Sequence, residues 1–242
     1  VKGHAIIEHM KKQGIKSVGC LSYADAYGET RLNDFQPQAE KACIKFGPVE
    51  RFARADTSAT GEALKLVQAK PEASLVVASG SGAAMPQMAL AERGYKGKIY
   101  QTHAAATRDW MRVGGKAVEG GFVVSGPAVL AEQLPDSHPS KAEAIKFVQQ
   151  YEKAYGPASR NQFAGHAYDS ILVMEKAVPI ALKKAKPGTP ECRAALRDAF
   201  EQMGKITLAH GVLNWTPADH WGYTDDTGVM MRVTNGEFKV EK

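Results

Sequence analysis

The stretch Ser17-Val18-Gly19-Cys20-Leu21, followed by Ser22-Tyr23-Ala24-Asp25-Ala26-Tyr27-Gly28-Glu29, decides how this chain is read. A short apolar run ends in a polar segment, and an amphipathic run follows over residues 30–46. The order is strand, loop, helix. In open α/β sheets, ligands bind at loops of this kind, outside the carboxyl ends of the strands. The loop offers a phenol, a carboxylate and a glycine but no nucleophile–base pair. It reads as a recognition surface before a reaction centre.

Working outward, residues 3–13 carry Ile6, Ile7 and Met10 at helical spacing and stop at Gly14. The spacing predicts strands over 16–21, 49–54, 73–78, 98–101 and 121–125. Between them it predicts helices over 29–46, 61–70 (capped by Thr60) and 83–93, with a short helical piece over 109–113. Residues 73–78 are an unbroken apolar run, as in a parallel strand covered on both faces. Pro86 falls in the first turn of its helix, where proline is tolerated. Five strands alternating with helices predict an α/β fold, a parallel doubly wound sheet in the order 2-1-3-4-5 with helices on both faces.

The pattern changes after Gly126. Residues 126–138 read as a loop. Helices are expected over 139–155, over 165–185 with an interruption or kink at Pro179, and over 190–203 with Thr189 as cap and Pro190 first. Extended pieces follow at 211–215, 228–234 and 237–240, the last two joined by the hairpin signal Asn235-Gly236. Ile171, Leu172, Met174, Val178 and Leu182 form an apolar face with no strands nearby. That predicts a second domain whose sheet is not in this chain.

The composition is that of an ordinary globular protein: 242 residues, 44% hydrophobic and 24% charged. The net charge of +5 is scattered, without an aromatic-interleaved basic stripe, so no nucleic-acid partner is expected. No apolar run approaches the roughly 20 residues of a membrane span. Cys20, Cys43 and Cys192 form no CxxC, and Cys20 and Cys43 are expected as small buried hydrophobes. The seven histidines are dispersed, so no metal site is expected. His4 and His9 read as solvated helix positions, His166 and His210 as structural or surface residues. The start at Val1 reads as that of a processed or truncated product.

Three loops converge at the crevice between strands 1 and 3. They are the loop with Asp25 and Tyr27, the loop Ser79-Gly80-Ser81-Gly82, and the loop that begins Thr102-His103. Glycine lets a ligand approach the backbone, and amides at a helix start can hold an anion. Taken singly, each loop is as well explained as a turn; the three together favour a ligand site. Enzyme signatures are weaker. Gly80-Ser81-Gly82 resembles half of GxGxxG, but the third position is Met85 and the motif follows strand 3. GxSxG, the P-loop and HExxH are absent from the sequence. No catalytic set and no cofactor are expected. A flavodoxin-like α/β enzyme using His103 as general base is the alternative of another class.

The chain resembles the leucine/isoleucine/valine-binding class of ABC-transporter substrate-binding proteins, which have the type I periplasmic binding fold. The matching stretches, in order, are Asp25-Ala26-Tyr27-Gly28-Glu29, Ala78-Ser79-Gly80-Ser81-Gly82-Ala83-Ala84-Met85-Pro86-Gln87, Ala91-Glu92-Arg93-Gly94-Tyr95, Val118-Glu119-Gly120, Phe163-Ala164-Gly165-His166-Ala167-Tyr168-Asp169 and Gly211-Val212-Leu213-Asn214-Trp215. The resemblance implies two α/β lobes closing on a ligand, an extracytoplasmic or periplasmic location, and ABC permease subunits as membrane partners. It implies that residues 1–125 are the second lobe, 126–208 a crossover with helices of an incomplete first lobe, and 209–242 a hinge crossover with return strands. Such a fragment is expected to self-associate.

By resemblance, Tyr27 faces the cleft, Ser79, Gly80, Ser81 and Gly82 form a loop where amino-acid binders often place an aromatic ring, and Phe163 and His166 join the ligand-binding set. His103 falls where amino-acid binders commonly carry an acidic residue for the ligand's ammonium group. An imidazole cannot serve as that counter-ion but can hold a carboxylate or phenol. The expectation is a non-catalytic solute receptor for a small aromatic or short-chain organic acid. A branched-chain or other amino-acid binder is the alternative.

Overall fold

The computed structural model describes residues 1–241. It divides the chain into two compact units, one of Lys2–Ser125 with the segment from Gly228 onward, the other of Gly126–Thr227 with Val1.

The first unit opens with helix α1 (Lys2–Lys12) and strand β1 (Ser17–Tyr23), then α2 (Ala26–Lys41), β2 (Lys45–Phe52), α3 (Thr60–Ala69) and β3 (Ala73–Val77). After β3 come α4 (Ala84–Glu92), β4 (Lys98–Gln101), α5 (Arg108–Gly114) and β5 (Phe122–Ser125). In the second unit lie α6 (Lys141–Tyr155), α7 (Gln162–Leu182) and α8 (Pro190–Gln202), followed by a small antiparallel pair, β6 (Ile206–Leu208) and β7 (Gly211–Leu213). The chain then returns to the first unit with β8 (Val229–Thr234) and β9 (Glu237–Val240).

The main sheet runs β2-β1-β3-β4-β5-β8-β9. Its first five strands are parallel, in the order expected from the sequence; β8 and β9 add antiparallel to the β5 edge. Under α1 and α2 the core gathers Ile6, Ile7, Met10, Val18, Cys20, Phe35, Leu75, Tyr100 and Phe122. Each fully buried large apolar side chain contributes roughly 1.5–3 kcal/mol, so this layer fixes the sheet that carries the loops.

Several boundaries differ from the sequence reading. Helix α2 starts at Ala26 and stops at Lys41, because Asp25 caps its start and Cys43 takes a left-handed φ of 57°. Phe46 therefore lies in β2, and Cys43 is exposed rather than buried. Gly47 and Pro48 sit within β2. Val18 pairs with Phe46 and Cys20 with Val49, so the strand carries one extra residue, a bulge. An edge strand tolerates a proline there. Strand β1 reaches Tyr23, which reduces the opening loop to Ala24 and Asp25.

His9 is the clearest correction. It is buried, not solvated, and its Nδ1 lies 2.9 Å from the Tyr100 hydroxyl. That partner stands 91 positions away on β4, where local spacing gives no hint of it. Burial holds the His9 pKa below its ordinary value, against the opposing pull of Glu241.

In the second unit, α7 runs through Pro179 to Leu182 and begins at Gln162, capped by the Asn161 side chain. Thr189 caps α8 by accepting from the Cys192 N–H at 3.2 Å, with Pro190 in first position as expected. The β6–β7 pair shows that these helices do have a small sheet beside them. Val173 packs there with Ile206, Leu208 and Leu213.

Candidate functional site

Parallel strands send their carboxyl ends to one edge, so the residues after β1, β2, β3 and β4 share an edge of the main sheet. Asp25 follows β1 and caps α2, accepting from the Gly28 N–H at 2.9 Å. Its other oxygen accepts from Arg54 Nε at 2.5 Å. The Gly28 N–H first, and then Arg54, hold the Asp25 carboxyl below its ordinary value. Gly28 has no room for a side chain: a Cβ would lie 1.9 Å from the Tyr23 carbonyl oxygen.

Tyr27 is half-buried in the first turn of α2. Its hydroxyl is 2.8 Å from Thr102 Oγ1. Thr102, fully buried after β4, also donates to the Ala78 carbonyl at 3.4 Å. Burial raises the Tyr27 pKa, so the phenol stays protonated at neutral pH. His103 opens a 3-10 turn directly after Thr102 and is partly exposed.

Ser79 leads into a 3-10 turn over Gly80–Ala83, and Gly80 needs its φ of +52°. Ser81 is exposed. Gly82 is small for a structural reason: a Cβ there would sit 2.3 Å from the Tyr23 hydroxyl. The phenol of Tyr23 occupies the space that a side chain on this loop would take.

The residue that sequence reading missed is Arg54, just past β2. Its Nη1 donates to Ser79 Oγ at 3.2 Å, and its guanidinium lies 4.3 Å from the centre of the Tyr23 ring. It links the loops after β1 and β3. An arginine two residues beyond a strand is a weak signal in a sequence with cations scattered throughout. Two further clefts of this unit lie elsewhere, one at α5 and one at the amino ends of β4 and β5.

Phe163 and His166 belong to the other unit, and within it they line different hollows. Phe163 is exposed in an open groove with Phe147, Tyr151, Tyr155, Tyr168 and Ile171. His166 lines a cavity of about 300 Å³ with Asp169, Phe200, Trp215 and Tyr223. Its Nδ1 is 3.2 Å from the Tyr223 hydroxyl, and its ring meets His210 edge-on at 4.4 Å. Buried Asp169 accepts from the backbone N–H groups of Ala209 and His210, at 2.8 and 2.9 Å. Burial, with the Asp169 charge, pushes the Tyr223 pKa up to about 12. His210 is fully buried, and a Cβ on Gly126 or Gly165 would strike its ring. Among the described residues no group of three or more His, Cys, Asp or Glu is placed to hold a metal ion, and no helix is long and apolar enough to cross a membrane.

A parallel sheet with polar loops gathered at its carboxyl edge, and antiparallel return strands on its far side, is the framework of a type I solute receptor. A family model described as periplasmic binding protein matches residues 1–237, and the chain belongs to that family. Membership carries with it a ligand-binding role and a place outside the cytoplasm. An extracellular ligand-binding receptor from Rhodopseudomonas palustris is similar at 48% identity and a TM-score of 0.96. The match covers 100% of this chain and 67% of that one. A second such receptor, from Rhodopseudomonas palustris HaA2, is 46% identical with a TM-score of 0.96, over 100% of this chain and 68% of the other. A solute-binding protein of an ABC transporter from R. palustris, solved in complex with benzoate, shares the fold at 17% identity and a TM-score of 0.75, over 99% of this chain and 61% of that one. Among curated proteins none matches.

Proposed function

We propose that this chain is the ligand-binding portion of a non-catalytic receptor that delivers a small carboxylic acid, aromatic or short-chain, to the permease subunits of an ABC importer. In the complete receptor, capture proceeds by closure of the two lobes. The set proposed to meet the ligand is Tyr27, Thr102, His103, Ser79, Gly80, Ser81 and Gly82, with Asp25; Phe163 and His166 are in the proposed set by resemblance alone.

One observation carries the choice of ligand. Both carboxylates of the opening stretch already have arginine partners: Asp25 is bound to Arg54, and Glu29 is bound through two hydrogen bonds to Arg51. His103 stands where the resemblance leads one to look for an acid. An α-ammonium group would meet no unpaired carboxylate in these loops, and leaving a buried charge unpaired is costly. A carboxylate would meet hydroxyl and guanidinium donors. The fold neighbour with bound benzoate makes that acid a natural first probe.

Titration calorimetry on the full-length receptor tests this. Saturable heat with benzoate and little with leucine is the expected result; tight leucine binding with no response to benzoate would sink the carboxylic-acid reading in favour of an amino-acid binder. Catalysis through His103 predicts product formation in the same titration, and none is expected.

A further inference from the structure

We propose that Arg54 is the group that selects the ligand's negative charge, a specificity determinant placed over the switch point of the sheet. The inference rests on the reading of this protein as a carboxylic-acid receptor and names the residue that enforces it. The chain order reverses between β1 and β3, and ligands of open α/β sheets bind in the crevice at that point. Arg54 comes from β2, on the far side of β1, and reaches across it. Nε meets Asp25 after β1, Nη1 meets Ser79 after β3, and the guanidinium lies against the Tyr23 ring. The guanidinium therefore lies over the crevice, not out along the sheet edge.

Its donor inventory is only partly spent. An arginine side chain carries five N–H donors in a planar fork. Two are taken by Asp25 and Ser79, leaving three without a partner among the described residues. About half of the side chain is accessible. Asp25 offsets part of the charge but is itself held by the Gly28 N–H at the start of a 16-residue helix, whose dipole favours an anion nearby. Asp25 is thus a positioning residue: it locks the fork so that the spare N–H groups are oriented before a ligand arrives. Preorganised guanidinium–carboxylate pairs are among the stronger polar contacts available to a binding site.

The test compares benzoate with benzamide, which matches its shape without the charge, in the full-length receptor. Charge-assisted hydrogen bonds are worth about 10- to 100-fold in affinity. The wild type is expected to prefer benzoate by about that factor. Arg54→Gln should lose about that factor for benzoate while leaving benzamide affinity nearly unchanged, and Arg54→Lys, which keeps the cation without the fork, should fall between. Thermal melts of both variants show whether they fold. Arg54→Gln that binds benzoate like the wild type, or a folded variant that loses both probes equally, overturns the assignment and leaves the receptor reading standing. A wild type that prefers leucine to benzoate overturns the carboxylic-acid reading and the Arg54 role with it.

Discussion

The Tyr27 hydroxyl lies 2.8 Å from Thr102 Oγ1, joining the first turn of α2 to the end of β4 across 75 positions of sequence. Two of the loops proposed to hold ligand are thereby tied before any ligand binds. The bond is part-buried, so each partner depends on the other. A double-mutant cycle of Tyr27→Phe and Thr102→Val should give a coupling of about 1 kcal/mol in urea denaturation. Additive single effects would show that the contact is incidental.

Gly82 and Tyr23 make a second such relationship, steric rather than polar. Tyr23 is only 4% exposed, and its hydroxyl fills the space beside Gly82. Gly82→Ala should cost about 1–3 kcal/mol, the usual range for overpacking a filled site. Tyr23→Phe should restore most of that loss in the double variant, because the next nearest ring atom is 3.6 Å from the added Cβ. Thermal denaturation of the three variants checks this, and an uncorrected loss in the double variant would place the strain elsewhere.

These pairs show where the sequence was legible. Strand order and helix alternation follow from local periodicity, which Ala73–Val77 and the Ile6, Ile7, Met10 stripe display directly. The loops could be placed because strand ends are visible in the apolar pattern. Partners across the sheet could not be read this way. His9 meets Tyr100, Arg54 meets Ser79, and Asp169 meets the backbone at His210, each through a register that only the folded sheet or helix packing defines. The smallness of Gly82 likewise has a cause that local sequence does not display, the Tyr23 hydroxyl that fills the space beside it.

Asp25 gives the fold an acid-sensitive contact. Its pKa is depressed by the Gly28 N–H and Arg54, so the folded state favours the ionised form. The stabilisation is present above the ordinary carboxylate value, near about 4, and is lost as pH falls through the lower folded value. Asp25→Asn keeps a side-chain oxygen to cap the helix, because asparagine caps as well as aspartate, and should cost about 0.2–1 kcal/mol at neutral pH through the lost ion pair with Arg54. The gap to wild type should narrow as pH falls below the ordinary carboxylate range in urea melts. A gap that stays constant with pH would mean the ionised form is not what matters.

Asp169 anchors the second unit. It is 3% exposed and accepts two backbone N–H groups at the turn between β6 and β7. Asp169→Ala would strand those donors in a buried place, at about 1–3 kcal/mol each. The melting temperature should fall by many degrees, while Asp169→Asn, which keeps one acceptor, should fall less. Equal effects would assign the role to charge alone.

The groove that carries Phe163 sets the last expectation. Tyr155, Phe163 and Ile171 are 70%, 52% and 61% exposed on α6 and α7 of one unit. Contiguous apolar surface of this kind is uncommon on a soluble monomer and marks an interaction face. The 242-residue chain in isolation should therefore self-associate through it as concentration rises. Ile171→Glu should weaken that association, because a carboxylate placed in the contact would have to shed its water without a partner. Its effect on stability should be small, since the site is solvated in the monomer. Sedimentation velocity over a range of concentrations reads both chains. A wild type that stays monomeric throughout, or an Ile171→Glu chain that associates equally well, would show that this face is not the contact.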